Sequence, residues 1–494
     1  PIDASILLWI VLTGPFRLYY SVMGMTPKAS DIWNIVVTPT PLALETLSSM
    51  LPFRQLIRGL IPTALCLAVL ALALHRFGFE GGISLPTLSA AILFVILYLY
   101  RYYGVVSLDT IMASIKVLYE FFKETRYYRY SRVSRSTMPA LPARPLAELV
   151  NVLLIIDESI RADYLSINNP GVDTTPFLKS FFDSFPNNAF NYGVAIAAGG
   201  SSFLSQITIL TGPDDLPDRK LDTLRRPTIF QVAKAAGYRT MMLALQDDFP
   251  NVAFGRSDMA YVDEFMHQGH DLAPLPMNVD LAAAAFVRKR LASERGLFIV
   301  LLKTGAHIRY ETRYPRDGEH CIFSPRLAPR EALSLGRRRE IVNSYKNALR
   351  YNLDGFFRAL FEDGLIPNTT VVYTSDHGQS FQEDGQIESH GSKYLEQALV
   401  PLLVFSSDSW VLENLKRPCR YTLSHMNIYP TISCLLRREP EQKETRGAHQ
   451  SIVTHDEIEP QRLRYIYGGL WDGTPVEPPM KDGRVVLREE RYMY

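Results

Sequence analysis

The chain has 494 residues, more than one ordinary core accommodates, so two or more units are expected. A formal net charge of +1 gives no global pull towards nucleic acid, and the 47% of hydrophobic residues, although in the globular range, are unevenly spread. Four cysteines, Cys66, Cys321, Cys419 and Cys434, form no CxxC pair and no zinc-finger spacing, which leaves the redox compartment and a Cys419–Cys434 pairing open.

The first hundred residues read as membrane. Ala4–Pro27 carries one charge, Arg17, and Ile32–Leu44 is uncharged but broken by Pro39 and Pro41. Leu60–Leu74 is almost wholly apolar between Arg58 and His75-Arg76, and Ile83–Tyr100 is uncharged and ends in an aromatic belt of Tyr98, Tyr100, Tyr102 and Tyr103. A span needs about 20 apolar residues, with about 17 as a lower limit. Ile83–Tyr100 meets that, Leu60–Leu74 does so with its flanks, and the first segment does so only across Arg17. Residues 1–106 are therefore expected to be transmembrane helices, N-terminally incomplete because the chain starts at Pro1 without Met. Buried core helices are the competing reading.

Residues 107–145 change character. Ile111, Ile115, Leu118 and Phe122 recur at helical spacing, and Lys116, Lys123, Arg126, Arg129, Arg132 and Arg135 supply positive charge. This suits an amphipathic helix on an anionic membrane surface, or a solvated connecting helix. The stretch from Thr137 to Pro145 is a Pro-rich linker and the expected boundary.

From residue 146 the pattern alternates. Val150–Ile156, Tyr238–Leu245, Leu297–Leu302, Thr370–Thr374 and Val400–Phe405 are continuous apolar or β-branched runs, as strands covered on both faces should be. Ile229–Ala236, Leu281–Ser293 and Arg337–Phe361 show helical spacing between them. The alternation predicts an α/β domain with a mainly parallel sheet flanked by helices, and Tyr465–Trp471 offers one more strand near an edge.

Three of these strands end in polar residues. Val150–Ile156 leads to Asp157-Glu158-Ser159, Leu297–Leu302 to Gly305-Ala306-His307, and Thr370–Thr374 to Ser375-Asp376-His377-Gly378. Strand C-termini are where open α/β sheets place ligands. His390 follows on a polar loop, and Gly199-Gly200-Ser201-Ser202 leads into an apolar helix-like run. A hydroxyl at a helix N-terminus meets free N–H groups that favour a phosphate. Serine is a poor nucleophile near neutral pH, and a divalent cation activates it. Glu158, Asp376, His377 and Ser201 form a mixed oxygen and nitrogen set that suits Zn2+, with Mn2+ possible because oxygen predominates. His307 and His390 are then free to hold substrate oxygens or move a proton.

These segments in this order resemble the membrane-bound phosphoethanolamine transferases of the alkaline phosphatase/sulfatase superfamily, the type that modifies lipid A. The resemblance covers about Val150 to Leu436. It rests on Glu158-Ser159-Ile160-Arg161-Ala162-Asp163, Asp173-Thr174-Thr175-Pro176, Asn343–Ala348, Ser375-Asp376-His377-Gly378, Ser389-His390-Gly391 and Ser424–Thr431. It implies an alkaline-phosphatase-like catalytic domain over residues 146–494, on the periplasmic side of the bacterial inner membrane and held there by a multi-pass anchor. It implies ping-pong transfer of phosphoethanolamine from phosphatidylethanolamine, through a covalent phospho-Ser, to an envelope lipid or glycan, foremost lipid A. By position, Glu158, Asp376 and His377 would be metal ligands, Ser201 the nucleophile and fourth ligand, and His307 and His390 phosphoryl contacts. Ser201 is preferred over Ser202 because it follows the glycine pair directly.

The chain departs from that family in three ways. Serine stands where a threonine nucleophile is usual, the adjoining cysteine and most disulfide cysteines are missing, and Asp157 replaces the usual glycine before Glu158. A phosphoglycerol transferase using phosphatidylglycerol shares the layout and is the closest rival. A sulfatase would need a C/S-x-P-x-R setting, and Ser201–Ser205 has neither the proline nor the arginine. A non-catalytic membrane-anchored sensor or scaffold is the alternative of another class. Arg309, Arg313, Arg316 and Lys393 are candidates for substrate phosphate or plain solvated residues. His267, His270 and His425 read as surface or packing histidines, and Arg337-Arg338-Arg339 as a solvated helix start.

Overall fold

The computed structural model describes residues 135–139, 141, 144–213, 225–246, 257–267, 278–328, 336–383, 391, 393–416, 420–441, 449–467 and 473–487. The expected transmembrane helices (1–106), the expected interfacial helix up to residue 134, His270, His390 and Cys419 lie outside the described residues. Among the described residues, no helix is long and apolar enough to cross a membrane.

The elements follow from the apolar runs. Strand β1 is Asn151–Asp157, buried at every position. Helix α1, Pro176–Ser184, starts with proline in its first turn, where the missing N–H is not needed. Strand β2 is Ala189–Ile196, and helix α2 is Ser202–Thr211. Helix α3, Ile229–Ala235, is held by a capping box between Thr228 and Gln231. Strands β3 (Arg239–Ala244) and β4 (Glu264–His267) follow. Helix α4, Val279–Ser293, is capped by Asn278 and leads to β5, Leu297–Leu302. Helix α5, Arg338–Ala348, passes through a π-helical turn at Leu349–Asp354 into α6, Gly355–Leu360. The helical pattern read at Arg337–Phe361 is thus not one regular helix. Strands β6 (Thr369–Ser375) and β7 (Leu399–Ser406) complete the sheet, followed by α7, Ser409–Asn414, and α8, Ile428–Arg437.

The seven strands run in the order β2-β7-β6-β1-β5-β3-β4. β1 pairs in parallel with β5 and β6, and β3 pairs in parallel with β5 and β4. Only β7 runs the other way, antiparallel to both β6 and β2. The mainly parallel arrangement brings the C-terminal ends of six strands to one edge, together with the N-terminal end of β7. The central strands β1, β5 and β6 are buried at every position, as strands covered on both faces are. A cluster of buried residues on one face joins β1, β5 and β7 to α3 and α8.

Several local expectations change. Tyr465–Tyr467 forms β8, which pairs with β9 (Thr474–Val476) in a separate two-stranded sheet. It also touches the glycine segment, since Ile466 N–H donates to Ala198 O at 2.8 Å. Arg135, counted above as a membrane-facing charge, is nearly buried and forms a bidentate pair with Asp258 at 2.5 and 3.0 Å. Cys434 is a free thiol, pushed up to about 11 by burial, while its possible partner Cys419 lies outside the described residues.

Candidate metal centre

The centre lies at the strand-end edge. β1 stops at Asp157, whose Oδ1 accepts the Glu158 N–H at 2.9 Å. The chain then turns through Ser159 at φ 63, a left-handed conformation that costs a non-glycine residue free energy. Hydrogen bonds hold the turn. Ser159 N–H donates to Asp376 Oδ1 at 3.0 Å, Ile160 N–H to Ser375 Oγ at 2.8 Å, and Ser159 Oγ to Glu158 Oε1 at 2.7 Å. The ends of neighbouring strands β1 and β6 are thereby locked together.

Asp376 and His377 follow β6 directly. Asp376 Oδ1 also accepts the His377 N–H at 2.6 Å, while Asp376 Oδ2 is buried and accepts no hydrogen bond. The His377 Nδ1 lies 2.8 Å from Gly378 O, so the proton is assigned to Nδ1 and the Nε2 lone pair is left for a ligand. That Nε2 faces Glu158 Oε1 at 3.5 Å and Asp376 Oδ2 at 3.7 Å. Ligand atoms of Glu158, Asp376 and His377 all lie within 4.8 Å of one another. A lone pair and two carboxylates turned towards each other in a buried space repel unless a cation sits between them. Burial would raise the Asp376 carboxyl, but His377 and the surrounding donors hold it below the ordinary value. The donor set therefore fits a divalent cation of the zinc type.

Gly378 serves close approach and not a left-handed turn. A Cβ there would lie 2.4 Å from Glu396 O and 2.8 Å from Leu399 O, where β7 begins. Gly378 N–H donates to Gln397 O at 2.8 Å, and Ala197 N–H donates to Ala398 O at 2.8 Å. The β7 entry thus ties the His377 turn to the segment that carries the two serines.

That segment carries both candidate hydroxyls. Ser201 is the N-cap of α2, extended at φ −140 and ψ 145, and its side chain makes no cap hydrogen bond. Ser202, the first helical residue, donates from Oγ to Glu158 Oε2 at 3.2 Å. Ser202 therefore contacts Glu158 directly, whereas Ser201, preferred from its place after Gly200, stands at the helix N-cap. Gly199 cannot carry a side chain, because a Cβ would lie 2.5 Å from Leu204 Cδ2 and 2.9 Å from Ile466 O.

Two further residues carry no sequence signal of their own. Gln246, just beyond β3, donates from Nε2 to Glu158 Oε2 at 3.0 Å and to Lys303 O at 3.0 Å. Gln206, one turn after Ser202 on α2, donates to Gln246 Oε1 at 3.0 Å. The two amides orient the Glu158 carboxylate from outside the ligand set. His425, read as packing, is fully buried and accepts the Ala198 N–H on Nδ1 at 3.1 Å, with Nε2 at 2.8 Å from Ser375 O. It bridges the serine segment to the end of β6, and burial pushes its imidazolium down to about 4. His267 is half-buried at the end of β4.

His307 arrives on the turn after β5. Ala306 N–H donates to Glu158 O at 3.0 Å, which fixes this turn against the Glu158 turn. Burial, then the Arg313 guanidinium and His377, push the His307 imidazolium down to about 3, so the ring is neutral near pH 7. Arg313 Nε contacts His307 O at 3.4 Å, Arg309 pairs with Glu311 at 3.3 Å, and Arg316 donates to Glu311 O at 3.3 Å. Lys393 is exposed, and its carbonyl accepts from the Tyr465 hydroxyl at 2.7 Å. Gly391, which follows His390, donates its N–H to Gly200 O at 2.9 Å. Arg161, almost fully buried, grips Asp163 at 2.8 and 2.9 Å and pairs with Glu383.

The sulfatase family matches residues 150–437. The chain is 26% identical over 306 residues to a Kdo(2)-lipid A phosphoethanolamine 7''-transferase of Salmonella typhimurium, covering 58% of this chain and 51% of the relative. It is 25% identical over 279 residues to phosphoethanolamine transferase EptC of Escherichia coli, covering 52% of this chain and 45% of that protein. The chain thus spans about half the length of the curated relatives it matches. Among solved structures, the integral membrane lipooligosaccharide phosphoethanolamine transferase EptA of Neisseria meningitidis has a TM-score of 0.63 at 17% identity, covering 87% of this chain and 83% of that one. The periplasmic domain of Escherichia coli EptC in complex with Zn has a TM-score of 0.52 at 19% identity, covering 67% and 92%. With the family match spanning more than half of its length and the fold shared, the chain belongs to the sulfatase family, within the alkaline phosphatase/sulfatase superfamily.

Proposed function

We propose that this protein is a phosphotransferase that moves phosphoethanolamine from phosphatidylethanolamine to an envelope lipid or glycan, foremost lipid A. The observation that carries the reading is the Ser202 hydroxyl seated on Glu158 beside the converging Asp376 and His377. The names of the curated relatives support the transferred group and the lipid A acceptor. The sulfatase family name does not extend to sulfatase activity here, because Ser201–Ser205 lacks the C/S-x-P-x-R setting.

Glu158, Asp376 and His377 would hold a zinc ion, with Ser202 as fourth ligand; the Zn complex of the EptC domain supports that choice of metal. When bound, such an ion lowers the pKa of an alcohol and offsets charge growing on a phosphoryl oxygen. Ser202 Oγ forms the new bond to phosphorus while the bond to the diacylglycerol oxygen breaks, and diacylglycerol leaves with a proton. The phosphoethanolamine then passes from Ser202 to an acceptor hydroxyl, which restores the serine. Neutral His307 offers an N–H to a phosphoryl oxygen, or a lone pair to the incoming hydroxyl proton. His390 and the cations of Arg309 and Lys393 are proposed to complete the donor site. Residues 146–494 form the catalytic domain on the periplasmic side of the bacterial inner membrane, with residues 1–106 as anchor and 107–145 as connection.

The test is transfer from headgroup-labelled phosphatidylethanolamine, with phosphatidylglycerol as the rival donor. Ser202→Ala is expected to lose about 10³-fold or more in rate, as removal of a nucleophile does, while Ser201→Ala stays active. Full activity of Ser202→Ala removes the nucleophile assignment, and preference for phosphatidylglycerol removes the donor.

A further inference from the structure

Beneath the centre lies a second set of charges that the mechanism does not use. Lys303 is wholly buried at the end of β5. Its ammonium lies 2.6 Å from Asp157 Oδ2, 3.9 Å from Asp280 Oδ2 and 4.3 Å from the centre of the Phe356 ring. The Tyr373 hydroxyl donates to the same Asp157 oxygen at 2.9 Å. Asp157 and Asp280 are themselves buried.

Each carboxylate has a second hand on the site. Asp157 Oδ1 accepts the N–H of Glu158, a ligand of the centre. Asp280, at the start of α4, accepts the N–H groups of Thr304 and Gly305 at 2.9 and 3.0 Å, on the turn that delivers His307. Asn352 closes that turn from the π-helical side by donating to Gly305 O at 2.7 Å. Lys303 therefore links the strand end that carries Glu158 to the turn that carries His307. A buried ion pair that served only stability would be an unfavourable choice, since apolar residues of similar volume usually do as well or better. Groups that orient ligands from behind, by contrast, commonly set metal affinity.

We infer that Asp157, fixed by Lys303 and Tyr373, is a positioning residue for Glu158, and that Lys303 and Asp280 extend the same device to His307. In this chain the carboxylate performs this at a position where the resembling transferases usually carry glycine. The inference rests on the proposed role of Glu158 as a metal ligand.

Zinc affinity of the metal-stripped full chain, read by competition with a chromophoric chelator, tests it. Removing Lys303 alone would leave Asp157 as a buried charge, so both charges are removed together. Lys303→Met with Asp157→Gly removes the acceptor for the Glu158 N–H and is expected to weaken zinc binding by about 10-fold or more. Lys303→Met with Asp157→Asn removes the same charges but keeps an acceptor oxygen, and is expected to stay within about 3-fold of the parent. Asp280→Asn, which loosens the His307 turn and the longer contact to Lys303 but keeps Asp157 as acceptor for the Glu158 N–H, is expected to leave zinc affinity unchanged and lower the transfer rate. Parent-like zinc binding in the Gly variant, or equal weakening in the Gly and Asn variants, overturns the inference. A parent chain that takes up no zinc overturns the reading of the centre itself.

Discussion

Gly305→Ala puts the packing of the centre to a quantitative trial. Gly305 sits at φ +54, and a Cβ there would lie 2.2 Å from Glu158 O, 2.6 Å from Asp157 Oδ1 and 2.8 Å from Glu158 N. Ordinary contact begins at 3.4 Å, so the His307 turn and the Glu158 turn must part by about 1 Å, a displacement of the size that costs about 10²-fold in rate. The left-handed backbone adds about 1 kcal/mol for a residue with a Cβ. Overpacking adds about 1–3 kcal/mol more. Gly193→Ala supplies the control, because its φ is +79 but nothing lies within 4 Å of the added methyl group. Thermal melting and zinc competition on both variants separate the terms. Gly193→Ala is expected to lower Tm by about 2 °C with zinc affinity unchanged. Gly305→Ala is expected to lower Tm further and to weaken both zinc binding and transfer. A Gly305→Ala protein indistinguishable from Gly193→Ala would refute the tight apposition of the two turns.

Two more outcomes follow from the site. Gln246→Leu removes the amide that donates to Glu158 Oε2 and is expected to weaken zinc binding by about 10–100-fold in the same competition assay; unchanged affinity would deny it that role. His425 carries a folded pKa depressed by burial from 6.5 to about 4, so between those values the unfolded chain binds a proton that the folded chain refuses. Its contribution is present above pH 6.5 and lost as pH falls through about 4, by up to about 3 kcal/mol. Urea unfolding from pH 7 to pH 4 measures the slope, which His425→Gln is expected to flatten.

The strands that the sequence announced are those buried on both faces. β1, β5, β6 and β7 read as apolar or β-branched runs because every residue in them is buried. β2 escaped because its middle is exposed, with Asn191 and Gly193 at a register shift. β4 is four half-buried residues at the sheet edge, too short for a period to show. The π-helical turn inside Arg337–Phe361 leaves helical spacing nearly intact and is invisible to it.

The convergence of Glu158, Asp376 and His377 was legible because acidic residues and histidine directly after buried strands share one sheet edge. The choice between Ser201 and Ser202 was not. It depends on where the helix begins, which makes Ser201 the N-cap and Ser202 the first helical residue, with its hydroxyl on Glu158. Gln246 and Lys303 were silent for a different reason. A lone polar residue after a strand is ordinarily solvated, and only the folded sheet edge brings these two against Glu158 and Asp157.

The central claim is that one divalent ion is held by residues from β1, β6 and the start of α2. Crystals of the full chain grown with zinc, with anomalous diffraction recorded on both sides of the zinc edge, test it most directly. One strong peak is expected about 2.0–2.2 Å from Glu158, Asp376, His377 and the Ser202 oxygen. No peak there, or a peak that excludes Glu158 or Asp376, would contradict it.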